Sequence, residues 1–148
     1  MIEYLFNYAT MSSVKTVIDV IADELGATIT LFSKRDGVDC KLIFSMPISN
    51  YSEDLVFYLN EFPGNCSTLI LSHVESVIND YPQRAEVAVD FAYQVCKSLE
   101  YGSLMLSVIT KSATLFAEER GFEVITEVYN PHSGQTSKFM KKTIERSY

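Results

Sequence analysis

Two ionisable side chains stand two positions apart in an apolar stretch of this chain. His73 and Glu75 lie within Thr68–Val77, whose composition predicts a strand. Side chains two apart on a strand point to the same face, so the imidazole and the carboxylate are expected to share one surface. Either group can take a proton from a bound substrate, which makes the pair a candidate general base. The alternative is a strand-end pair that only meets solvent or satisfies a hydrogen bond.

The segment that follows could bind an anion. Asn79–Pro82 has the composition of a loop, and the longest predicted helix then runs from about Arg84 to Tyr101. A helix start has N–H groups without partners and the positive end of the helix dipole, so it can hold a phosphate. Glu86 would repel such an anion, although a glutamate in a first helical turn also favours the dipole.

Composition and motifs argue against several other functions. The chain has 148 residues and a formal net charge of −7, so its surface repels nucleic acid and suits cationic or basic partners. Cys40, Cys66 and Cys96 are widely spaced without a C-x-x-C pair, so we expect neither a disulfide framework nor a metal site. Motifs for nucleotide or serine hydrolysis are absent from the sequence.

The sequence predicts no association with a membrane. No window approaches the roughly 18 apolar residues that a membrane span needs. The first residues, Met1 to Phe6, lack the basic start and the apolar stretch of a signal peptide. We therefore expect a cytoplasmic location, in a reducing environment.

The elements that must position these residues alternate between strands and helices. In chain order the patterns predict a strand at 2–9, a helix at about 13–25, a hairpin at 27–48 turning at Asp36-Gly37, a short helix at 52–59, a strand at 68–77, the long helix, a strand at 103–109, a helix at 112–120, and strands at 122–129 and 137–144. Strand–helix–strand units imply parallel neighbours and hairpins imply antiparallel ones. We predict one α/β (α+β) domain over residues 1–148, with a mixed, mostly antiparallel sheet flanked by helices.

This order, together with two local stretches, resembles the GNAT superfamily of N-acetyltransferases. GNAT enzymes carry a Q/R-x-x-G-x-G/A motif at the start of the long helix, and its backbone N–H groups hold the diphosphate of coenzyme A. In this chain Gln83 and Ala88 match the outer positions and Glu86 replaces the middle glycine. Residues 110–122 are similar to the GNAT pattern N-x-x-A-x-x-L-Y-E-x-x-G-F. Ala113, Glu118, Gly121 and Phe122 match this pattern, and Phe116 takes the Leu position.

The resemblance implies an acyl-CoA-dependent N-acyltransferase. His73 or Glu75 would deprotonate the amine acceptor, and acetyl-CoA would be the cofactor. The residues implied to bind it are Val77, Gln83, Arg84, Ala85, Glu86, Val87, Ala88 and Thr110, the last at the usual Asn position. The tyrosine that often protonates the leaving thiolate falls on Ala117, and the nearest hydroxyl groups in sequence belong to Ser107, Thr110 and Ser112.

Two functions follow as alternatives. The first is an N-acyltransferase that acts on a small amine or on an amine of a protein. The second is a non-catalytic binding or structural protein with a GNAT fold, for example a phage virion or accessory protein, with a protein partner or a homo-oligomer. Nine tyrosines and nine phenylalanines could supply an interface for the second function, or could lie in the core.

Overall fold

The computed structural model describes residues 30–36, 39–47, 54–62, 65–98 and 100–145, and residues 19, 20 and 23, which are helical. The strands are β1 (Thr30–Asp36), β2 (Asp39–Pro47), β3 (Asp54–Phe62), β4 (Asn65–Ser72), β5 (Ser103–Val108), β6 (Glu123–Asn130) and β7 (Gln135–Thr143). The helices are α1 (Glu75–Asp80), α2 (Pro82–Ser98) and α3 (Lys111–Glu119). The strand predicted at 2–9 and most of the helix predicted at 13–25 lie outside the described residues.

The strands form a single sheet in the order β1-β2-β3-β4-β5-β7-β6. All neighbouring strands are antiparallel except β4 and β5, which run parallel from Thr68↔Ser103 to Leu71↔Leu106. A parallel pair needs a crossover connection, which α1 and α2 provide. The predicted mixed, mostly antiparallel sheet flanked by helices is confirmed.

Several predicted elements agree with the structure. The hairpin forms as β1 and β2, although Asp36 pairs with Asp39 and so belongs to the strand rather than to the turn. Strands β5, β6 and β7 and helix α3 lie within about two residues of their predicted bounds. Helix α2 starts two residues earlier than predicted, because Pro82 fits the first position of a helix, where no N–H is needed.

The short helix predicted at 52–59 is wrong, because residues 54–62 form strand β3. The burial of this segment has a period of two: Phe57 and Leu59 are fully buried, whereas Val56 is exposed. This segment pairs with β2 on one side and with β4 on the other. This pairing favours a strand more strongly than the possible helix-capping residues before it favour a helix.

The strand predicted at 68–77 is wrong in its second half. Strand β4 ends at Ser72, and His73 then adopts a positive φ of 64°, which turns the chain into α1. Val74, Val77 and Ile78 are buried at helical spacing and pack into the core, so an amphipathic helix forms here. Asn79 and Asp80, predicted as loop, end this helix.

The core lies between the sheet and helices α1, α2 and α3. Leu104, Leu106 and Val108 of β5 are fully buried on one face, opposite the apolar side of α2. On the other face Thr68 and Ser103, also buried, share a hydrogen bond of 2.7 Å across the parallel pair. Helix α1 contacts both α2 and α3, so the three helices form one layer.

Cys96 gives a test of this core. It is fully buried on α2, and burial raises the pKa of its thiol to about 12, so it stays protonated at ordinary pH. In a Cys40→Ser/Cys66→Ser variant at pH 8 we expect Cys96 to react with a disulfide reagent only as fast as the fold opens. The reaction in urea is the control. Reaction in native buffer as fast as in urea would contradict the buried position.

Candidate functional site

The carboxylate of Glu75 joins two parts of the chain that are 34 and 35 residues apart in sequence. The Ile109 N–H donates to both carboxylate oxygens at 2.8 and 3.0 Å. Thr110 donates its N–H at 2.6 Å and its hydroxyl at 2.7 Å to Oε2. Glu75 therefore fixes α1 to the end of β5, at the entry to α3.

A network of short polar side chains extends this joint. The Thr110 hydroxyl oxygen accepts from Ala113 N–H at 3.3 Å, which caps α3, and from the Asn79 amide at 3.4 Å. The Ser112 hydroxyl donates to the Asn79 carbonyl oxygen. The hydroxyl hydrogens of Thr110 and Ser112 are thus engaged with Glu75 and Asn79, which leaves neither positioned to protonate a leaving thiolate.

His73 and Glu75 do not form the predicted pair on one strand face. Glu75 lies in the first turn of α1 and points to the end of β5, whereas the exposed His73 ring lies against Tyr58 of β3, with ring centroids 4.8 Å apart. The prediction failed because the chain leaves the strand at His73, so the period-two rule no longer applies. Their proposed role as a general base stays a prediction without the geometry that motivated it.

The start of α2 offers few N–H groups to an anion. Pro82 has no N–H, and the Tyr81 N–H donates to the Val77 carbonyl at 2.7 Å. The Arg84 and Ala85 N–H groups both donate to the Tyr81 carbonyl at 3.0 Å. Of the positions that a helix start leaves unpaired, at most the Gln83 N–H remains for a ligand.

The predicted cofactor residues divide between the core and the surface. Val77, Ala85 and Ala88 are buried in the core, Gln83, Glu86 and Thr110 are exposed, and Arg84 and Val87 are half-buried. Helical spacing explains this pattern, because residues 83–88 wind around α2 rather than forming a loop that faces one ligand.

Glu86 was predicted to oppose a phosphate or to favour the helix dipole in the first turn of α2. It lies beyond that turn, and the contact that it makes is a different one. Its carboxylate is 3.3 Å from an Arg120 guanidinium nitrogen, with 55% of the Glu86 side chain exposed. Partial burial and then Glu86 raise the pKa of Asp90, while Lys142 and Arg120 oppose this shift. Glu86 of α2 therefore faces the end of α3, where the Arg120 guanidinium balances its charge.

Arg120 was not predicted and is the most constrained cation of the described region. One terminal nitrogen donates to the Phe116 carbonyl at 3.0 Å, and the guanidinium lies 3.6 Å from the centre of the Phe116 ring. Its Nε is buried and has no hydrogen-bond partner among the described residues. One sequence signal points to this position, because Arg120 stands directly before Gly121. In the structure Gly121 has a φ of 89° and follows the end of the helix.

A groove of about 570 Å³ lies between the α1–α2 junction and α3, in the size range of ligand pockets. Its walls are mostly apolar and include two charged side chains, Arg120 and Glu119. The lining residues are Ile78, Asn79, Pro82, Ser112, Leu115, Phe116, Glu119 and Arg120. The two stretches that carry the GNAT resemblance thus flank one groove, although none of the predicted cofactor residues lines it.

The described part of the chain contains neither a metal site nor a helix that could span a membrane. No group of three His, Cys, Asp or Glu side chains in it could hold a metal ion. None of its helices is both long enough and apolar enough to cross a membrane. At the usual tyrosine position, Ala117 is fully buried and has no polar side-chain atom.

Comparison with solved structures identifies the fold. The ribosomal-protein-S18-alanine N-acetyltransferase from Escherichia coli has a TM-score of 0.58 and 11% identity, over 82% of this chain and 97% of that one. Nourseothricin acetyltransferase has a TM-score of 0.54 and 12% identity, over 84% and 94%. A probable acetyltransferase from Staphylococcus epidermidis has a TM-score of 0.56 and 19% identity, over 71% and 68%.

These similarities confirm the predicted GNAT-type fold, and at such low identities they concern the fold alone. No protein-family model and no curated protein sequence matches the chain. The start of α2 does not fit a coenzyme A diphosphate, because at most a single backbone N–H remains there for a ligand.

The Glu75 joint gives a stability prediction. Glu75→Ala leaves the Ile109 and Thr110 N–H groups without their acceptor, so we expect the free energy of unfolding to fall by about 2 kcal/mol. Asp80→Ala, which removes an exposed carboxylate from the same helix, should change it by less than about 0.5 kcal/mol. Urea unfolding followed by circular dichroism measures both. Equal losses in the two variants would show that the joint does not stabilise the fold.

Proposed function

We propose that this chain is a binding protein built on the N-acetyltransferase fold, and that it does not hold acyl-CoA at the start of its long helix. The observation that carries this proposal is the hydrogen bonding of that helix start. The Tyr81 carbonyl accepts hydrogen bonds from two of the local N–H groups, and the Val77 carbonyl accepts one from a third. Pro82 has no N–H to donate.

The position of α1 supports the same conclusion. In the GNAT pattern the diphosphate motif follows a strand and opens the long helix, so backbone N–H groups face the ligand. Here a helix fixed by Glu75 occupies that connection, and its hydrogen bonds to Ile109 and Thr110 hold it in place. The base, the acid and the diphosphate site that the resemblance implies each lack their expected geometry here.

A second candidate function, an acyl-CoA-dependent N-acyltransferase, is favoured by one observation. The groove between the α1–α2 junction and α3 has the size of a ligand site, and Arg120 in its lining has a buried Nε without a partner in the described region. An anionic ligand could approach this guanidinium. The acceptor would then be a small amine or a protein amine. Two solved proteins of this fold are named for acceptors of these two kinds, nourseothricin and the alanine of ribosomal protein S18. A cytoplasmic or virion location stays a prediction under either function.

Thermal unfolding with acetyl-CoA decides between the two functions. A ligand at a hundred times its dissociation constant adds about 2.7 kcal/mol of stability, which would raise the Tm of a chain of this size by several degrees. We expect no rise at millimolar acetyl-CoA, with a coenzyme-binding acetyltransferase of the same fold as the positive control. A rise that Arg120→Ala abolishes would overturn the proposal in favour of the acyltransferase.

The Glu86→Gly variant tests the reason for the missing site. If the Glu86 charge alone excluded the diphosphate, this substitution would restore binding. Because the local N–H groups are already used, we expect no binding by isothermal titration calorimetry, and a loss of about 1 kcal/mol in stability from glycine inside a helix. Glu100→Gly is the matched control for the loss of one negative charge. Glu100 lies outside the helix and has a positive φ, which glycine adopts readily. Coenzyme binding by Glu86→Gly would show that repulsion was the cause.

A further inference from the structure

Strand β6 forms an exposed edge of the sheet. Among the strands that the structure describes, it pairs with β7 alone. Strand β5 makes its last pair with β7 at Val108↔Lys138, whereas β6 and β7 continue together to Asn130↔Gln135. The outer part of the β6–β7 hairpin therefore projects beyond β5 as a two-stranded arm.

This arm exposes large apolar side chains. Tyr129 is 62% exposed and Val128 is 51% exposed, and every residue of β6 is exposed. A two-stranded ribbon on its own is only marginally stable in water. An edge strand also has backbone N–H and C=O groups available for another strand. The bulge between Val124 and Thr126 interrupts the start of β6, so the regular edge is Thr126–Asn130.

The existing partner of β6 indicates which chemistry this strand accepts. On β7, Lys138 lies opposite Glu127 and Lys141 lies opposite Glu123. Opposite charges across a strand pair stabilise it, and the arrangement repeats at both acidic positions. A strand that adds to the free edge would meet the same Glu127 carboxylate, on a protein with a net charge of −7.

We propose that the free edge of β6, from Thr126 to Asn130, binds an extended segment of a partner protein that has a lysine or arginine opposite Glu127 and apolar residues beside it. Backbone hydrogen bonds would add the segment as an eighth strand next to the seven described ones, and Val128 and Tyr129 would pack against its apolar side chains. This inference concerns a different part of the molecule from the groove, and it holds whether or not the chain binds acyl-CoA.

A second copy of this chain is a poorer occupant of the edge. Both copies would have a net charge of −7, so their approach is repulsive. In antiparallel self-pairing centred on Glu127 the two carboxylates face each other, and when the centre moves by one residue Glu127 meets Ile125 or Tyr129 instead. None of these registers gives Glu127 a basic neighbour.

A labelled peptide with the β7 sequence, QTSKFMKKT, tests the proposal on the full chain. Fluorescence anisotropy should show saturable binding, and a scrambled peptide of the same composition should bind at least about tenfold more weakly, because register matters as well as charge. Hydrogen exchange should show new protection in the outward amides of β6 with no loss in β7. A loss of protection from exchange in the β7 amides would mean that the peptide displaces that strand, and would overturn the proposal.

Charge reversal provides the second arm of the experiment. Glu127→Lys should weaken the lysine peptide about tenfold and strengthen a peptide in which glutamates replace the three lysines. Glu118→Lys, an exposed acid on α3, is the matched control and should leave both affinities within about twofold, with folding of both variants checked by circular dichroism. Equal binding of the scrambled peptide, no effect of Glu127→Lys, or a concentration-dependent dimer that Glu127→Lys alters would each overturn the assignment of a basic heterologous partner.

Discussion

The contact on which the described architecture depends is the carboxylate of Glu75 against the end of β5. A single carboxylate receives hydrogen bonds from two consecutive backbone N–H groups and one hydroxyl, at 2.6 to 3.0 Å. These bonds hold α1 against the turn that begins α3, and α1 lies in the connection between β4 and α2. This one long-range contact thus positions α1 both in the layer of helices and beside the start of α2.

The sequence predicted the regular parts of the fold well because each has a strong local pattern. Strand β5 is a short apolar run buried on both faces, and α3 has a threonine cap at one end and Gly121 at the other. The order of strands and helices then constrained the topology through the rules for parallel and antiparallel connections. The similarity to solved N-acetyltransferases follows from that order rather than from shared residues.

The site was predicted less well, for a reason that concerns His73. Nothing in the local sequence signals that a histidine will adopt a positive φ, a conformation that is uncommon for residues other than glycine. Once the chain turns there, Glu75 and Val77 change from strand residues into helix residues with different neighbours. Long-range partners such as Ile109 and Thr110 determine this outcome, and a window of neighbouring residues does not contain them.

The parallel pairing of β4 and β5 has a consequence for how the chain folds. Thr68 and Ser103 are 35 residues apart, whereas the hairpins β1–β2 and β6–β7 close over a few residues. Closing a long loop lowers the chain entropy more, and this loss comes before any contact can compensate for it. Contacts of large sequence separation therefore slow the folding of small domains. The hairpins can therefore form early, while the two halves of the sheet meet late, and the groove between α1 and α3 exists only after that meeting.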